Sequence, residues 1–281
     1  MTNESSALYV VPTPLGNLGD MTMRSLEVLK AVPWVAAEDT RHSQPLLRHF
    51  SVGAKLLPAH QHNEEKAAQQ IIDKLAAGES VALVSDAGTP AVSDPGARIV
   101  VRVQEAGFRV VPLPGACAAV TALSASGLTA PHFLFYGFLP AKAGQREKEL
   151  RALAAMPYTL VFYEAPHRVV ETVDALAQVF GPLRQVVFAR ELTKLFESIH
   201  RCPLGEAAAW LAGDANRQKG EFVLLVEAAP PGGDDGEGER VLGLLLAEGL
   251  PVKQAAKLAA EITGAAKNDL YAKALALKQQ G

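Results

Sequence analysis

Short apolar runs alternate with amphipathic segments along the first half of the chain. The runs lie at residues 8–11, 34–37, 80–85 and 108–113. Between them, residues 22–31 and 64–77 repeat apolar positions with helical periodicity, and Thr22 and Asn63 are expected to cap these two helices. Strands that alternate with helices are typical of a mainly parallel sheet covered by helices. The pattern therefore predicts an α/β domain over residues 1–129.

A second series of apolar runs begins after residue 130. The runs are FLFYGF (133–138), YTLVFYE (158–164), RQVVFARE (184–191) and EFVLLVE (221–227). Helical patterns separate most of them, so a second α/β domain is predicted over residues 130–229. Residues 230–239 are too rich in Gly, Pro and acid to form a core, and we interpret them as a flexible linker. Residues 240–281 are helical in pattern and predict a small domain of helix-turn-helix type.

Composition narrows the class of protein. The chain has 281 residues, 49% hydrophobic and 20% charged, which indicates a soluble globular protein of about two domains. Apolar runs are shorter than the roughly 20 residues that span a bilayer, and the chain starts without a signal-peptide pattern, so a cytoplasmic, membrane-free location is expected. Cys117 and Cys202 lack a metal-ligand or redox spacing, so buried free thiols are expected. The net charge of −3 disfavours unspecific binding to bare nucleic acid.

Motifs rich in glycine, proline and charge follow the predicted strands. In the first half they are TPLGN (13–17), EDTR (38–41), SDAGTP (85–90) and PGAC (114–117). In the second half they are GFLP (137–140), YEAPHR (163–168) and ARELTK (189–194). In open α/β sheets, ligands bind outside the carboxyl ends of the strands. These loops are therefore expected to converge on a cleft between the two domains.

Several common site motifs are absent from the sequence. It contains no G-x-x-x-x-G-K-[ST], no G-x-G-x-x-G after the first strand, no H-E-x-x-H and no G-x-S-x-G. His60 and His62 are interpreted as a solvated pair, and no metal site is predicted. The acid, glycine and exposed backbone that remain suit a ligand with hydroxyls, an adenine ring and a positive charge. Asp86 is a candidate hydrogen-bond acceptor for it, whereas Asp94 and Pro95 are interpreted as the start of the next helix.

Taken together, the motifs resemble the tetrapyrrole-methylase superfamily of S-adenosylmethionine-dependent methyltransferases. Eight blocks carry the resemblance in order over nearly the whole chain: TPLGNLGDMTMRSLEVL, AEDTRHSQPLL, SDAGTPAVSDPG, PLPGACAAVTALSASGL, FYGFLP, FYEAPHR, ARELTKLFES and KGEFVLLVE. EDTR, YEAPHR and RELTK favour the branch that methylates a cytidine 2′-hydroxyl of small-subunit (16S) ribosomal RNA over the porphyrinoid or diphthamide branches. The resemblance implies a class III methyltransferase with two α/β domains, a cofactor cleft between them, a homodimer and the small ribosomal subunit as substrate.

The resemblance also implies a set of cofactor contacts in the first domain. They are Pro14, Gly16, Asp86, Ala87, Gly88, Thr89, Ser93, Ala116 and Cys117. Cys117 stands where the family often has serine. Because a thiol is a poorer hydrogen-bond partner than a hydroxyl, a backbone contact is expected there.

Candidate catalytic residues come from the motifs of the RNA branch. Methyl transfer to a ribose hydroxyl needs alignment of the oxygen, and a base or stabilisation of the developing alkoxide. The candidates are Glu38, Arg41, Glu164, Arg190, Glu191 and Lys194, with His167 and Arg168 as RNA contacts. Ion pairs that brace the domain interface remain an alternative role for Glu38, Arg41 and Arg190. A tetrapyrrole methyltransferase of the same fold and a non-catalytic cofactor-binding module remain alternative functions.

Overall fold

Parallel strands and the helices that connect them build the first half of the molecule. The computed structural model describes residues 6–230 and 237–279. The elements of the first α/β unit are β1 (Ala7–Val10), α1 (Met23–Ala31), β2 (Trp34–Ala37), α2 (Thr40–His49), β3 (Lys55–Pro58), α3 (Glu64–Ala76), β4 (Val81–Val84), α4 (Ala97–Glu105), β5 (Arg109–Pro112) and α5 (Ala118–Ala125). The strand order is β3-β2-β4-β1-β5, and the pairs are parallel. The α/β prediction for this half is therefore confirmed.

The central strands of this sheet are buried on both faces. All four residues of β4 are buried, as expected for a parallel sheet covered by helices on both sides. Leu83 packs with Ile71 and Ile99 on one face, and Val84 packs with Leu29 on the other. Strand β3 was missed in the sequence because it is a short edge strand, and its residues Lys55–Pro58 are mostly exposed or half-buried.

Thr22 and Asn63 both occupy the predicted N-cap positions, but only the Thr22 side chain caps its helix. Thr22 caps α1, because its hydroxyl accepts the Ser25 N–H. Asn63 occupies the N-cap position of α3, but its side chain accepts the His60 N–H and donates to the Pro58 carbonyl.

Asp94 and Pro95 do not start a helix, which corrects the sequence interpretation. The Ala91 N–H donates to the Pro95 carbonyl, and this turn delays α4 until Ala97. Gly96 takes the cap position with φ of 134°, a value that favours glycine, and donates its N–H to the Glu64 carboxylate. Asp94 therefore does not cap α4.

A mixed sheet forms the second α/β unit. Its elements are β6 (Phe133–Phe138), α6 (Ala143–Leu153), β7 (Thr159–Glu164), α7 (Val169–Phe180), β8 (Gln185–Arg190), β9 (Ser198–Pro203), α8 (Leu204–Ala212) and β10 (Phe222–Val226). The order is β6-β7-β10-β8-β9, with β6 and β7 parallel and the other pairs antiparallel. The core includes fully buried Phe162 and Phe188. Strand β9 was missed in the sequence because it is an edge strand whose apolar positions are interrupted by His200 and Arg201.

Three helices close the described chain. They are α9 (Glu237–Ala247), α10 (Val252–Thr263) and α11 (Lys267–Gln279), and they pack mainly against one another around a small core that includes Leu242 and Leu270. Within the predicted linker, residues 231–236 lie outside the described residues. Helix α9 begins at Glu237, inside that predicted linker. No helix in the described part of the chain combines the length and apolar character needed to cross a membrane.

Candidate active-site cleft

A cavity of about 320 Å³ lies where the loops of the two α/β units meet. The first unit contributes Leu15, Ala87, Gly88, Thr89, Val92, Ser93, Asp94, Cys117 and Ala118 to its lining. The second unit contributes Phe138, Tyr163, Glu164, Ala165, Pro166, Ala189, Leu192, Glu221, Phe222 and Val223. Most of these residues follow the carboxyl ends of strands. The predicted convergence of loops on a cleft between the two units is therefore found in the structure.

The loops after β1, β4 and β5 are tied together into one wall. Thr13 and Gly88 exchange two backbone hydrogen bonds of 2.9 Å each. The Thr89 hydroxyl donates to the Ala116 carbonyl at 2.8 Å. Gly88 adopts φ of 82°, which residues with a Cβ rarely take, so glycine is required by the backbone at this point of the wall.

The segment after Gly88 has unusual backbone conformations where it meets the second unit. Ala91 and Ser93 have φ of 67° and 60°, in the left-handed region that non-glycine residues occupy at a cost of about 1–3 kcal/mol each. A Cβ on Gly137 would lie 2.9 Å from the Ser93 Oγ. Glycine at 137 therefore lets this loop approach the end of β6 closely.

Of the two aspartates of this loop, Asp94 lines the cavity and Asp86 does not. The Asp86 carboxylate accepts the Asp39 N–H at 3.2 Å, which braces the loops after β4 and β2 and leaves Asp86 outside the cavity lining. Asp94 lines the cavity. Burial and the neighbouring Asp86 carboxylate raise the pKa of Asp94 to about 6, although the nearby Ser85 hydroxyl opposes this shift.

Glu38 lies on the loop after β2 and Arg41 in the first turn of α2, and neither lines the cavity. Burial, with the carboxylates of Asp94, Asp86 and Asp39, raises the pKa of Glu38. The Arg41 side chain is 90% exposed and pairs with Asp39 at 2.7 Å. Its hydrogen bonds lower the pKa of Asp39 to about 2. The structure therefore gives Arg41 a local ion pair at the surface.

Tyr163 is a residue of the cavity wall that the sequence analysis missed. Its hydroxyl accepts the Ala119 N–H at 3.1 Å, so the end of β7 meets the first turn of α5. Its ring packs edge-on against Phe135, with the ring centres 4.9 Å apart. Burial raises the pKa of Tyr163, and the phenol is therefore neutral at physiological pH. The YEAPHR motif contains this tyrosine, but only the packing of the two units identifies it as a wall residue.

Glu164 and Arg168 of the same motif form a buried network. The Glu164 carboxylate accepts the Ala165 N–H at 2.8 Å and the Thr172 hydroxyl at 2.6 Å. The Arg168 Nε lies 3.4 Å from that carboxylate, and its Nη2 donates to the Leu139 carbonyl at 2.6 Å. Glu164 and Arg168 therefore connect the ends of β6 and β7 with the start of α7.

Arg190, Glu191 and Lys194 organise the loop between β8 and β9. Arg190 donates to the Ser198 hydroxyl and to the carbonyls of Lys219 and Phe196. Its guanidinium therefore holds the loop together, and a catalytic role for Arg190 would have to compete with these bonds. His167 lies exposed at the surface, beyond the cavity lining.

The Lys194 ammonium is held by two carboxylates. Its Nζ lies 3.0 Å from Glu191 and 2.9 Å from Glu221. Burial lowers the pKa of Lys194, but the bonds to Glu221 and Glu191 outweigh this effect and raise it overall. A Cβ on Gly16 would overlap the Lys194 Cγ, so glycine there gives the lysine stem room to cross onto the first unit. Lys194 is thus a protonated contact between the two units.

The predicted site residues divide into three groups by position. Those that line the cavity are Ala87, Gly88, Thr89, Ser93, Cys117 and Glu164. Those that adjoin its walls are Pro14, Gly16 and Ala116. Those that lie outside the lining are Glu38, Arg41, Asp86, His167, Arg168, Arg190, Glu191 and Lys194. Cys117 and Cys202 are both free thiols, as predicted, but only Cys202 is buried, whereas Cys117 is half-buried at the cavity wall.

Comparisons with known families agree with this architecture. Residues 7–208 match the family model of Tetrapyrrole (Corrin/Porphyrin) Methylases, and residues 232–278 match the model of the RsmI C-terminal HTH domain. The solved methyltransferase CobJ is similar with a TM-score of 0.61 and 22% identity, over 80% of this chain and 95% of that one. Uroporphyrin-III-C-methyltransferase from Thermus thermophilus is similar with a TM-score of 0.57 and 22% identity, over 88% of this chain and 99% of that one. The fold, the cleft and the family match together identify the protein as a methyltransferase of the tetrapyrrole-methylase class.

Curated relatives specify the branch of this class. A protein of Escherichia coli O157:H7 is 53% identical over 281 residues, which is 99% of this chain and 97% of that protein. One of Vibrio cholerae serotype O1 is 51% identical, over 96% of this chain and 94% of that protein. Both are named ribosomal RNA small subunit methyltransferase I. The chain belongs to the family of ribosomal RNA small subunit methyltransferase I, and the predicted fold class, including the helix-turn-helix domain, is confirmed.

Proposed function

We propose that the protein transfers a methyl group from S-adenosylmethionine to the 2′-hydroxyl of a cytidine in small-subunit (16S) ribosomal RNA. The observation that carries the proposal is the cavity formed jointly by the strand-end loops of both α/β units. Support comes from the ribosomal RNA methyltransferases that are about half identical to this chain over nearly its full length. The tetrapyrrole alternative rests on neighbours of 22% identity, which share the fold.

The residues of the cavity fit S-adenosylmethionine. Its volume of about 320 Å³ falls in the usual range of small-molecule sites, about 300–1,000 Å³. Leu15, Phe138 and Val223 offer apolar surface for a flat ring, and the backbone around Gly88 is open to polar groups. The Asp94 carboxylate provides a partner for a positive charge. When bound, the cofactor supplies an activated methyl group and a neutral thioether as the leaving group.

The chain's own residues contribute mainly position and charge. The tied loops fix one wall of the site, which limits the freedom of the reacting groups. Lys194 is our candidate for stabilising a developing oxyanion, because its carboxylate partners keep it protonated. Glu38 is our candidate proton acceptor, because its raised pKa makes it a stronger base than an ordinary glutamate. Glu191 is less suited to this role, since hydrogen bonds lower its pKa.

The domain organisation predicted from the sequence completes the proposal. In it, residues 1–129 bind the cofactor together with residues 130–229, and residues 230–239 link them to a helical domain at 240–281. We further propose that the protein works as a homodimer in the cytoplasm, on the small ribosomal subunit. The homodimer is implied by the family resemblance, and the location by the substrate.

A methyl-transfer assay tests the proposed function. Small ribosomal subunits from cells that lack this protein are incubated with the enzyme and S-adenosylmethionine labelled in its methyl group, with naked ribosomal RNA and a porphyrinoid in parallel. We expect label in 2′-O-methylcytidine from the small subunits. Labelling of the porphyrinoid alone would support the tetrapyrrole alternative. Cofactor binding without transfer to any of the three substrates would support a non-catalytic binding module.

Deletion of residues 230–281 is expected to separate substrate binding from cofactor binding. Because α9–α11 pack mainly against one another and the cavity is lined by residues 15–223, we expect the affinity for S-adenosylmethionine to stay unchanged. We propose that the helical domain contacts the substrate, so KM for small subunits is expected to rise about tenfold when one of two linked contact surfaces is removed. Calorimetry measures the affinity for S-adenosylmethionine, and the transfer assay measures KM for small subunits. An equal loss of both affinities, in a truncated protein that is still folded, would contradict this division of labour.

A further inference from the structure

Asp94 is the carboxylate of the described cavity lining that has no basic partner. Glu164 and Glu221 also line it, but Glu164 lies beside the Arg168 guanidinium and Glu221 beside the Lys194 ammonium. In the part of the chain that the structure describes, Asp94 forms no such pair. Its carboxylate therefore presents the cavity with a charge that no side chain neutralises.

The groups that face Asp94 from neighbouring loops increase this imbalance. Asp86 lies on the same loop after β4, and Glu38 lies on the loop after β2; both are acidic and interact electrostatically with Asp94. From the second unit, the Tyr163 phenol lines the same cavity and interacts electrostatically with Asp94, and it is neutral at physiological pH. A partly buried carboxylate in such surroundings is costly to ionise, which is why its pKa lies near 6. A cation placed in the cavity would relieve that cost.

We propose that the Asp94 carboxylate recognises the sulfonium of S-adenosylmethionine and thereby makes the site prefer the methyl donor over the demethylated product. The proposal rests on the function proposed above. Donor and product share the adenine, the ribose and the homocysteine portion, and they differ by one methyl group and one positive charge at sulfur. An anionic group at the sulfur position therefore favours the donor, and its attraction is lost when the methyl group leaves, which favours product release.

Equilibrium binding measurements on the Asp94→Asn variant test the proposal. Calorimetry at about pH 8, where Asp94 is ionised, compares S-adenosylmethionine with S-adenosylhomocysteine. We expect the variant to bind the donor about tenfold more weakly, and the product within about twofold of the wild type. The control is Asp73→Asn, which removes an exposed carboxylate of α3 and is expected to change neither affinity.

The outcomes separate this proposal from the proposed function. Equal weakening of both ligands would mean that Asp94 binds a group they share, and unchanged donor affinity would mean that it binds neither; either result overturns the proposal. A wild-type protein that binds neither ligand would instead overturn the proposed function itself.

The pH dependence of the wild type gives a second test that needs no variant. Because Asp94 is neutral below its pKa of about 6 and charged above it, donor affinity is expected to rise as the pH increases through this value. Product affinity is expected to change much less over the same interval, since the thioether is uncharged at every pH. Parallel pH profiles for the two ligands would contradict a charge-specific role of Asp94.

Discussion

Substitution of Ala118 by phenylalanine is expected to weaken S-adenosylmethionine binding by about 100-fold or more, because a ring placed in the cavity removes the space for the cofactor. Ala118 is the first residue of α5, is half-buried and lines the cavity. The cavity of about 320 Å³ can accommodate a phenyl group. The ring would therefore occupy the space of the ligand without pushing neighbouring side chains apart. We therefore expect the free energy of unfolding to change by less than about 1 kcal/mol.

Val120 provides the matched control on the same helix. Its side chain is 49% exposed and does not line the cavity, so Val120→Phe is expected to bind the cofactor normally. Calorimetry measures binding, and thermal unfolding shows whether each variant is folded. Normal binding by Ala118→Phe would mean that the cofactor occupies another site, and the cavity would lose its assigned role. Loss of cofactor binding by both variants would indicate that the substitutions disturb α5 itself.

Replacement of Glu164 by glutamine is expected to lower the free energy of unfolding by about 3 kcal/mol. The carboxylate is fully buried, accepts hydrogen bonds from Ala165 and Thr172, and lies 3.4 Å from the Arg168 guanidinium. Glutamine retains the shape but removes the charge that balances Arg168, which is itself only 18% exposed. Its amide nitrogen also places a donor where the carboxylate had an acceptor.

Denaturant unfolding of Glu164→Gln and a surface control measures this effect. Glu147 pairs with Arg151 on α6, and both side chains are largely exposed, so Glu147→Gln is expected to cost less than about 0.5 kcal/mol. The same pair of variants tests the catalytic role predicted for Glu164. A Glu164→Gln protein with wild-type stability and cofactor affinity but no methyl transfer would contradict the structural role and favour a chemical one.

The periodicity of apolar positions along the chain was sufficient to predict the class of fold. Buried runs such as VALV in β4 can only be covered from both sides, and TPLGN and SDAGTP mark the loops that such a sheet brings together. Strands β3 and β9 escaped detection because edge strands are half-exposed and tolerate the polar residues that break the apolar pattern. The start of α4 was misplaced because a turn involving Ala91 and Pro95 competes with the helix signal of Asp94.

The order of the motifs, and hence the family and the pair of α/β units, was determined by the sequence alone, because both depend on residues that are near one another in the chain. Only the tertiary structure decided which polar side chains face the cavity. Asp86 bonds to the loop after β2, whereas Asp94 is directed to the cavity, and Lys194 is bound by a glutamate 27 residues away. Such partners come from strands that become neighbours only when the sheets form and the two units meet. Distances across that junction determine which charges are neutralised, and spacing along the chain carries no information about them.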